Sequence, residues 1–151
     1  MSTLLEVYDR LGASSAGDTG NADGKLVLDH EQRDKGRLKT QTSDGRTVGL
    51  FLERGTPLSI GEMLLTQCGK HLIVEGAPEP VVTARCDDWG TFSRACYHLG
   101  NRHVKIQLGE RWLRILPDHV LEDLLQRLGL CMEHEVAVFI PEGGAYGHHH
   151  H

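Results

Sequence analysis

The sequence predicts an α+β protein in two parts: a small β-rich N-terminal domain, then a domain in which strands and helices alternate. Three observations carry that prediction. Residues 1–75 hold short alternating apolar runs separated by turn formers, with no long helical stripe. The Gly-Ala-Pro-Glu-Pro stretch at 76–80 disfavours both helix and central strand and reads as a short, stiff linker. Beyond it, two helical stripes lie between alternating segments, which assigns 81–142 to a second domain and 143–151 to a His-rich tail.

In the first domain, residues 4–8 form a strand and residues 12–25, rich in Gly, Ala, Ser, Asp and Asn, form a mobile loop. Strand character resumes over 26–30, and the mixed charges of 31–37 suit a solvated edge. Residues 37–42 and 46–53 read as a hairpin around Ser43-Asp44-Gly45, because glycine takes positive φ without steric cost. A turn at 54–57, an apolar piece at 60–65 and a strand at 70–75 complete a small sandwich or barrel-like module.

The second domain opens with an alternating strand over 81–86. Asp87 or Asp88 caps a helix whose Phe92, Ala95, Cys96 and Leu99 share one face, with Gly100 as its left-handed terminator. Val104, Ile106 and Leu108 alternate as a second strand, and residues 111–116 form a third. Asp118 caps a second helix with Val120, Leu121, Leu124, Leu125 and Leu128 on its apolar face, and Gly129 ends it. Val136, Val138 and Ile140 mark the last strand. The order β-α-β-β-α-β is that of a ferredoxin-like domain, two helices on one face of an antiparallel sheet. On this reading His103, Lys105 and Gln107 point to the uncovered face, beside Trp112 and Arg114. A two-fold axis there would pair one His103 from each of two chains.

Composition excludes several function classes. No apolar run approaches the roughly 20 residues a membrane helix needs, and no leader pattern opens the chain, so a cytoplasmic protein is expected. A net charge of −5 argues against nucleic acid and suits a carrier of divalent cations. Cys68, Cys86, Cys96 and Cys131 form no Cys-x-x-Cys pair, and Cys86 and Cys96 read as core filler. No nucleophile elbow, phosphate-binding glycine loop or His-Glu-x-x-His is present, and Asp87-Asp88 reads as a cap, so no enzyme is expected.

Eight of the ten histidines follow residue 97, and imidazole favours nickel, copper and zinc. His103 is the first candidate ligand. His119 opens a helix, whose positive dipole end favours the neutral, metal-competent ring. His98 reads as a solvated residue, and His30, His71 and His134 receive no role. The run His148, His149, His150 and His151 binds nickel or copper whether it is a native tail or a purification tag.

Three segments carry a family resemblance: residues 95–103 with Gly-Asn-Arg-His at their end, residues 117–121, and residues 141–147 followed by histidines. Residues 44–49 and 52–58 agree. Together they resemble the UreE family of urease accessory metallochaperones over nearly the whole chain. That resemblance implies a homodimer that binds nickel and passes it to the urease apoprotein, working with the urease accessory GTPase. It places the central ligand on His103, one per subunit, and a peripheral one on His119. It also implies that the first domain docks partners and that the terminal histidines are a native tail. Two departures stand out: Pro117 replaces a companion histidine, and Lys105 replaces a proline common after the Gly-Asn-Arg-His motif. A zinc- or copper-buffering dimer and a non-metal interaction module are the competing readings.

Overall fold

A computed structural model describes residues 4–13 and 22–143. The chain divides into two compact units, residues 1–77 and 78–151. Among the described residues, the first mixes strands with one helical turn and the second mixes strands with two helices.

The first unit runs β1 (Leu5–Ala13), β2 (Gly24–Leu28), α1 (His30–Arg33), β3 (Arg37–Gln41), β4 (Thr47–Phe51), β5 (Glu62–Thr66) and β6 (His71–Gly76). These strands form one sheet in the order β2-β6-β5-β1-β4-β3, with β1–β4 and β2–β6 parallel. The outermost strands approach where Ser43 N–H donates to the Lys25 carbonyl at 2.9 Å, so the sheet curls into a barrel-like form. Alternation explains the filling: Leu5, Val7, Leu26, Leu28, Val48, Leu50, Leu64, Leu72 and Val74 point inward and are buried. Arg10 on β1 grips Glu62 on β5 with Nε at 2.5 Å and Nη2 at 2.7 Å, and also donates to the Thr56 and Pro57 carbonyls. That clamp ties the 54–61 connection to the barrel wall.

The hairpin forms as expected, pairing Arg37 with Phe51 and Gln41 with Thr47, and Gly45 takes φ 91° in its turn. The run 31–37 is solvated as expected at Glu31, Asp34, Lys35 and Arg37, but a helical turn occupies its start. The Asp29 carboxylate accepts from Gln32 N–H at 2.8 Å while Gln32 Oε1 accepts from Asp29 N–H at 3.0 Å, a capping box. This box stops β2 at Leu28, short of residue 30, and starts the single turn α1. Arg33 is buried there, its Nε donating to the Leu28 carbonyl. Of the loop expected over 12–25, Gly12 and Ala13 belong to β1 and Gly24 and Lys25 to β2, while residues 14–21 lie outside the described residues.

The second unit runs β7 (Pro78–Arg85), α2 (Trp89–Asn101), β8 (Gln107–Gly109), β9 (Trp112–Ile115), α3 (His119–Leu128) and β10 (Cys131–Val138). The order is β-α-β-β-α-β, and the sheet is antiparallel in the order β10-β7-β9-β8. Val82, Ala84, Leu113 and Ile115 from the sheet meet Phe92, Ala95, Leu99, Leu121 and Leu125 from the helices. Asp88 caps α2 by accepting from Thr91 N–H at 2.9 Å, and Asp118 caps α3 by accepting from Val120 and Leu121 N–H. Gly129 ends α3 at φ 101°.

Four expectations are corrected. The linker at 76–80 is absent: β6 runs to Gly76 and β7 starts at Pro78. Pro78 and Pro80 are tolerated because β9 pairs only with residues 82–85, leaving the start of β7 a one-sided edge. The second strand shrinks to Gln107–Gly109, while Val104 and Ile106 fill the core from an irregular segment. The final strand begins at Cys131 rather than near Val136, which is 69% exposed. Val120 leaves the apolar face of α3, at 64% exposed.

The sheet face away from the helices carries Thr83, Arg85, Trp112, Arg114 and Glu135. Arg114 lies 5.0 Å over the Trp112 ring and donates from Nε to Thr83 Oγ1 at 3.0 Å. The indole lies across Gly109, where an added Cβ would fall 1.9 Å from Trp112 Cε2.

Candidate metal centre

His103 does not start a strand. It terminates α2. The Val104 N–H reaches back to the Leu99 carbonyl at 3.2 Å and the His103 N–H to the Gly100 carbonyl at 3.0 Å. Together these are the 6→1 and 5→2 bonds of a Schellman motif, in which the residue after the cap turns left-handed. Arg102 is the cap, so His103 takes the left-handed position at φ 58°. Gly100, expected to be the terminator, is still helical. Packing explains the displacement: Leu99 is fully buried and Val104 packs on the same cluster, so the apolar pair that closes this motif sits at 99 and 104.

This position has chemical consequences. A non-glycine residue in the left-handed region is strained by about 1–2 kcal/mol, although histidine is enriched there relative to most residues. The imidazole is exposed. It also sits past the C-terminal end of α2, where unpaired carbonyls give a partial negative charge that favours a bound cation. Arg102 and Lys105, both exposed, put positive charge on the same short segment.

The remaining histidines are dispersed. His98 is half-buried in the last turn of α2, with its ring edge-on to Tyr97 at 5.5 Å. His119 is exposed in the first turn of α3, next to the cap Asp118. His148, His149, His150 and His151 lie outside the described residues. Among the described residues, no three His, Cys, Asp or Glu side chains gather into a metal-binding group.

Sequence reasoning missed two histidine environments. His134 Nε2 lies 2.6 Å from Glu122 Oε1, while Glu122 Oε2 accepts from Asp118 N–H at 2.9 Å, so one carboxylate joins α3, its cap and β10. The tight return from α3 into β10 is the only sequence signal for that pairing. His30 is buried within the first unit. The Asp88 carboxyl is held below the usual carboxylate range, first by the Thr91 hydroxyl at 2.7 Å, which fits a cap. Burial raises the Cys96 thiol, which suits packing rather than ligation.

Two family models match the chain in tandem. The N-terminal domain of the UreE urease accessory protein matches residues 7–77, and its C-terminal domain matches residues 79–151. The chain belongs to the UreE family. Among curated relatives, a urease accessory protein UreE of Marinomonas sp. (strain MWYL1) is 56% identical over 147 residues, covering 97% of this chain and 98% of that protein. The UreE of Alteromonas mediterranea is 54% identical over 144 residues, covering 95% and 91%. That of Pseudomonas putida (strain GB-1) is 52% identical over 124 residues, covering 82% and 75%. The two matched segments meet at residues 77–79, where the chain divides into its compact units. The family is one of urease accessory proteins.

Proposed function

We propose that the protein is a nickel-binding metallochaperone that delivers Ni2+ to apo-urease during assembly of the urease active site. The observation that carries this reading is the exposed imidazole of His103 at the strained end of α2, in a chain of the UreE family. Helix order and sheet order in the second unit support a ferredoxin-like domain.

A lone imidazole is a weak ligand, and one chain's described residues assemble no larger group. A homodimer with a two-fold axis near His103 doubles the donor set, because an isologous contact repeats each residue. Two imidazoles leave most nickel positions for water and for His148, His149, His150 and His151, and such a site yields its cargo to an acceptor with more ligands. His119 would then be a secondary, solitary ligand, since proline occupies position 117. Protons compete for the same nitrogens, so affinity falls in acid. Intrinsic affinity cannot select nickel, because copper outranks it and zinc competes. A zinc- or copper-buffering dimer is therefore the second reading.

The partners we propose are the urease accessory GTPase and the urease apoprotein, docked through the first unit, in the cytoplasm. No helix among the described residues is long and apolar enough to cross a membrane. Calorimetric titration of nickel into protein ended after Gly147, with and without His103→Ala, tests the ligand. Equal binding by the two removes His103 from the site. Nickel-dependent capture of the GTPase separates delivery from buffering, and its absence leaves the buffering reading.

A further inference from the structure

The first unit, whose sequence holds none of the candidate metal ligands, carries an exposed aromatic ridge beside cations that make no ion pair among the described residues. Tyr8 on β1 and Phe51 on β4 stack at 5.2 Å and 16°. They are 51% and 37% exposed, and Leu4, 46% exposed, continues the ridge. Gly49 forms the floor: a Cβ there would fall 3.0 Å from Phe51 Cε2 and 3.9 Å from Leu4 Cδ1, so ring and leucine lie across a position without a side chain. Strand register puts Arg37 opposite Phe51 and Lys39 opposite Gly49, on the same outer face. Both cations are exposed, and neither makes an ion pair among the described residues. Glu6, the carboxylate on this face, is held by Gln67 Nε2 at 2.8 Å and by the Tyr8 hydroxyl.

We infer that this face binds an acidic, apolar-bearing segment of a partner protein. Aromatic and arginine side chains exposed together are the composition of interface anchors, and a patch of this kind rimmed by charge marks a docking surface. Charge selects the occupant. Arg37 and Lys39 leave this face locally cationic, with Glu6 already held by hydrogen bonds, within a chain of net charge −5. A second copy docked here across a two-fold axis would bring the same cations to both sides of the contact, leaving them without complementary charge. A nucleic acid would bring phosphates to the cations but no aliphatic side chain to Leu4, and its longer run of charge would meet the field of an acidic protein over a wider footprint than a short acidic segment does.

The inference rests on the partner-docking role proposed for the first unit and is independent of the metal reading. The test uses the full chain and a short fluorescent peptide alternating glutamate with leucine, followed by anisotropy. Its controls are the same peptide with lysine for glutamate and a single-stranded oligonucleotide. The glutamate peptide should bind best. The double charge reversal Arg37→Glu with Lys39→Glu should weaken it at least tenfold, as should Phe51→Ser. Both variants should keep the parent nickel titration, and the charge reversal, on exposed positions, should keep the parent melting temperature. Equal binding of the lysine peptide, tighter binding of the oligonucleotide, or indifference to charge reversal overturns the inference. So does a change of oligomeric mass in either variant, which would make the face a contact between copies.

Discussion

Replacing His103 with glycine should raise stability and remove nickel binding at one stroke. The left-handed conformation at φ 58° costs a histidine about 1–2 kcal/mol. Glycine adopts it freely, but the mutant chain gains about 0.5–1 kcal/mol of unfolded-state freedom. The ring is exposed, so its removal sacrifices little buried surface. The balance is a gain of roughly 0.5–1 kcal/mol, which at 2–4 °C per kcal/mol raises the melting temperature by about 1–4 °C. His103→Ala keeps most of the strain and should melt near the parent, whereas the β-branched His103→Val should melt below it. Calorimetry must be run with chelator present, because nickel bound to the parent would stabilise it by mass action. A fall of several degrees for the glycine variant would show that the ring makes stabilising contacts and that the strain argument is wrong. Retained nickel binding would remove His103 as ligand.

Three other perturbations probe the scaffold. Gly109→Ala drives a methyl group into the Trp112 indole; expelling the ring should cost about 1–3 kcal/mol in urea unfolding and change the near-ultraviolet tryptophan signal. Arg10→Ala strands the Glu62 carboxylate, whose side chain is only 4% exposed. Because Arg10 itself is 26% exposed, a loss of roughly 2–4 kcal/mol is expected, at or below the range for a buried pair. The Asp88 carboxyl is depressed chiefly by the Thr91 hydroxyl, so its contribution is present above the reference value of about 3.9 and is lost as pH falls through the lower folded value. Acid titration by circular dichroism should show α2 weakening in that window, and Asp88→Asn should flatten that part of the curve.

Where chemistry is local, the sequence was legible. Asp88, Asp118 and Gly129 hold the capping positions they suggest, and the Asp44-Gly45 turn closes the hairpin it implies. Two failures had local signals that were outweighed. The Asp29-x-x-Gln32 capping box straddled the strand read over 26–30 and the charged run of 31–37, and Gly100 drew attention as a terminator when the Leu99–Val104 pair decides where α2 stops. Pro78 and Pro80 read as a linker because sequence does not show that one side of β7 lacks a neighbour. Other features rest on contacts distant in sequence. Glu122 and His134 meet only once α3 folds back on β10, and Arg10 meets Glu62 across 52 positions. His103 was found as a candidate through its motif. Its left-handed backbone, the property that strains it and sets it beyond the helix end, emerged only from the fold.

Sharing of one nickel ion between two His103 rings is tested most directly by native mass spectrometry of the protein ended after Gly147, with nickel added stepwise. The prediction is a dimer that takes up a single nickel ion shared by its two chains, and a His103→Ala dimer that takes up none at the same concentration. A monomeric parent, or a His103→Ala protein that loads nickel like the parent, would contradict it.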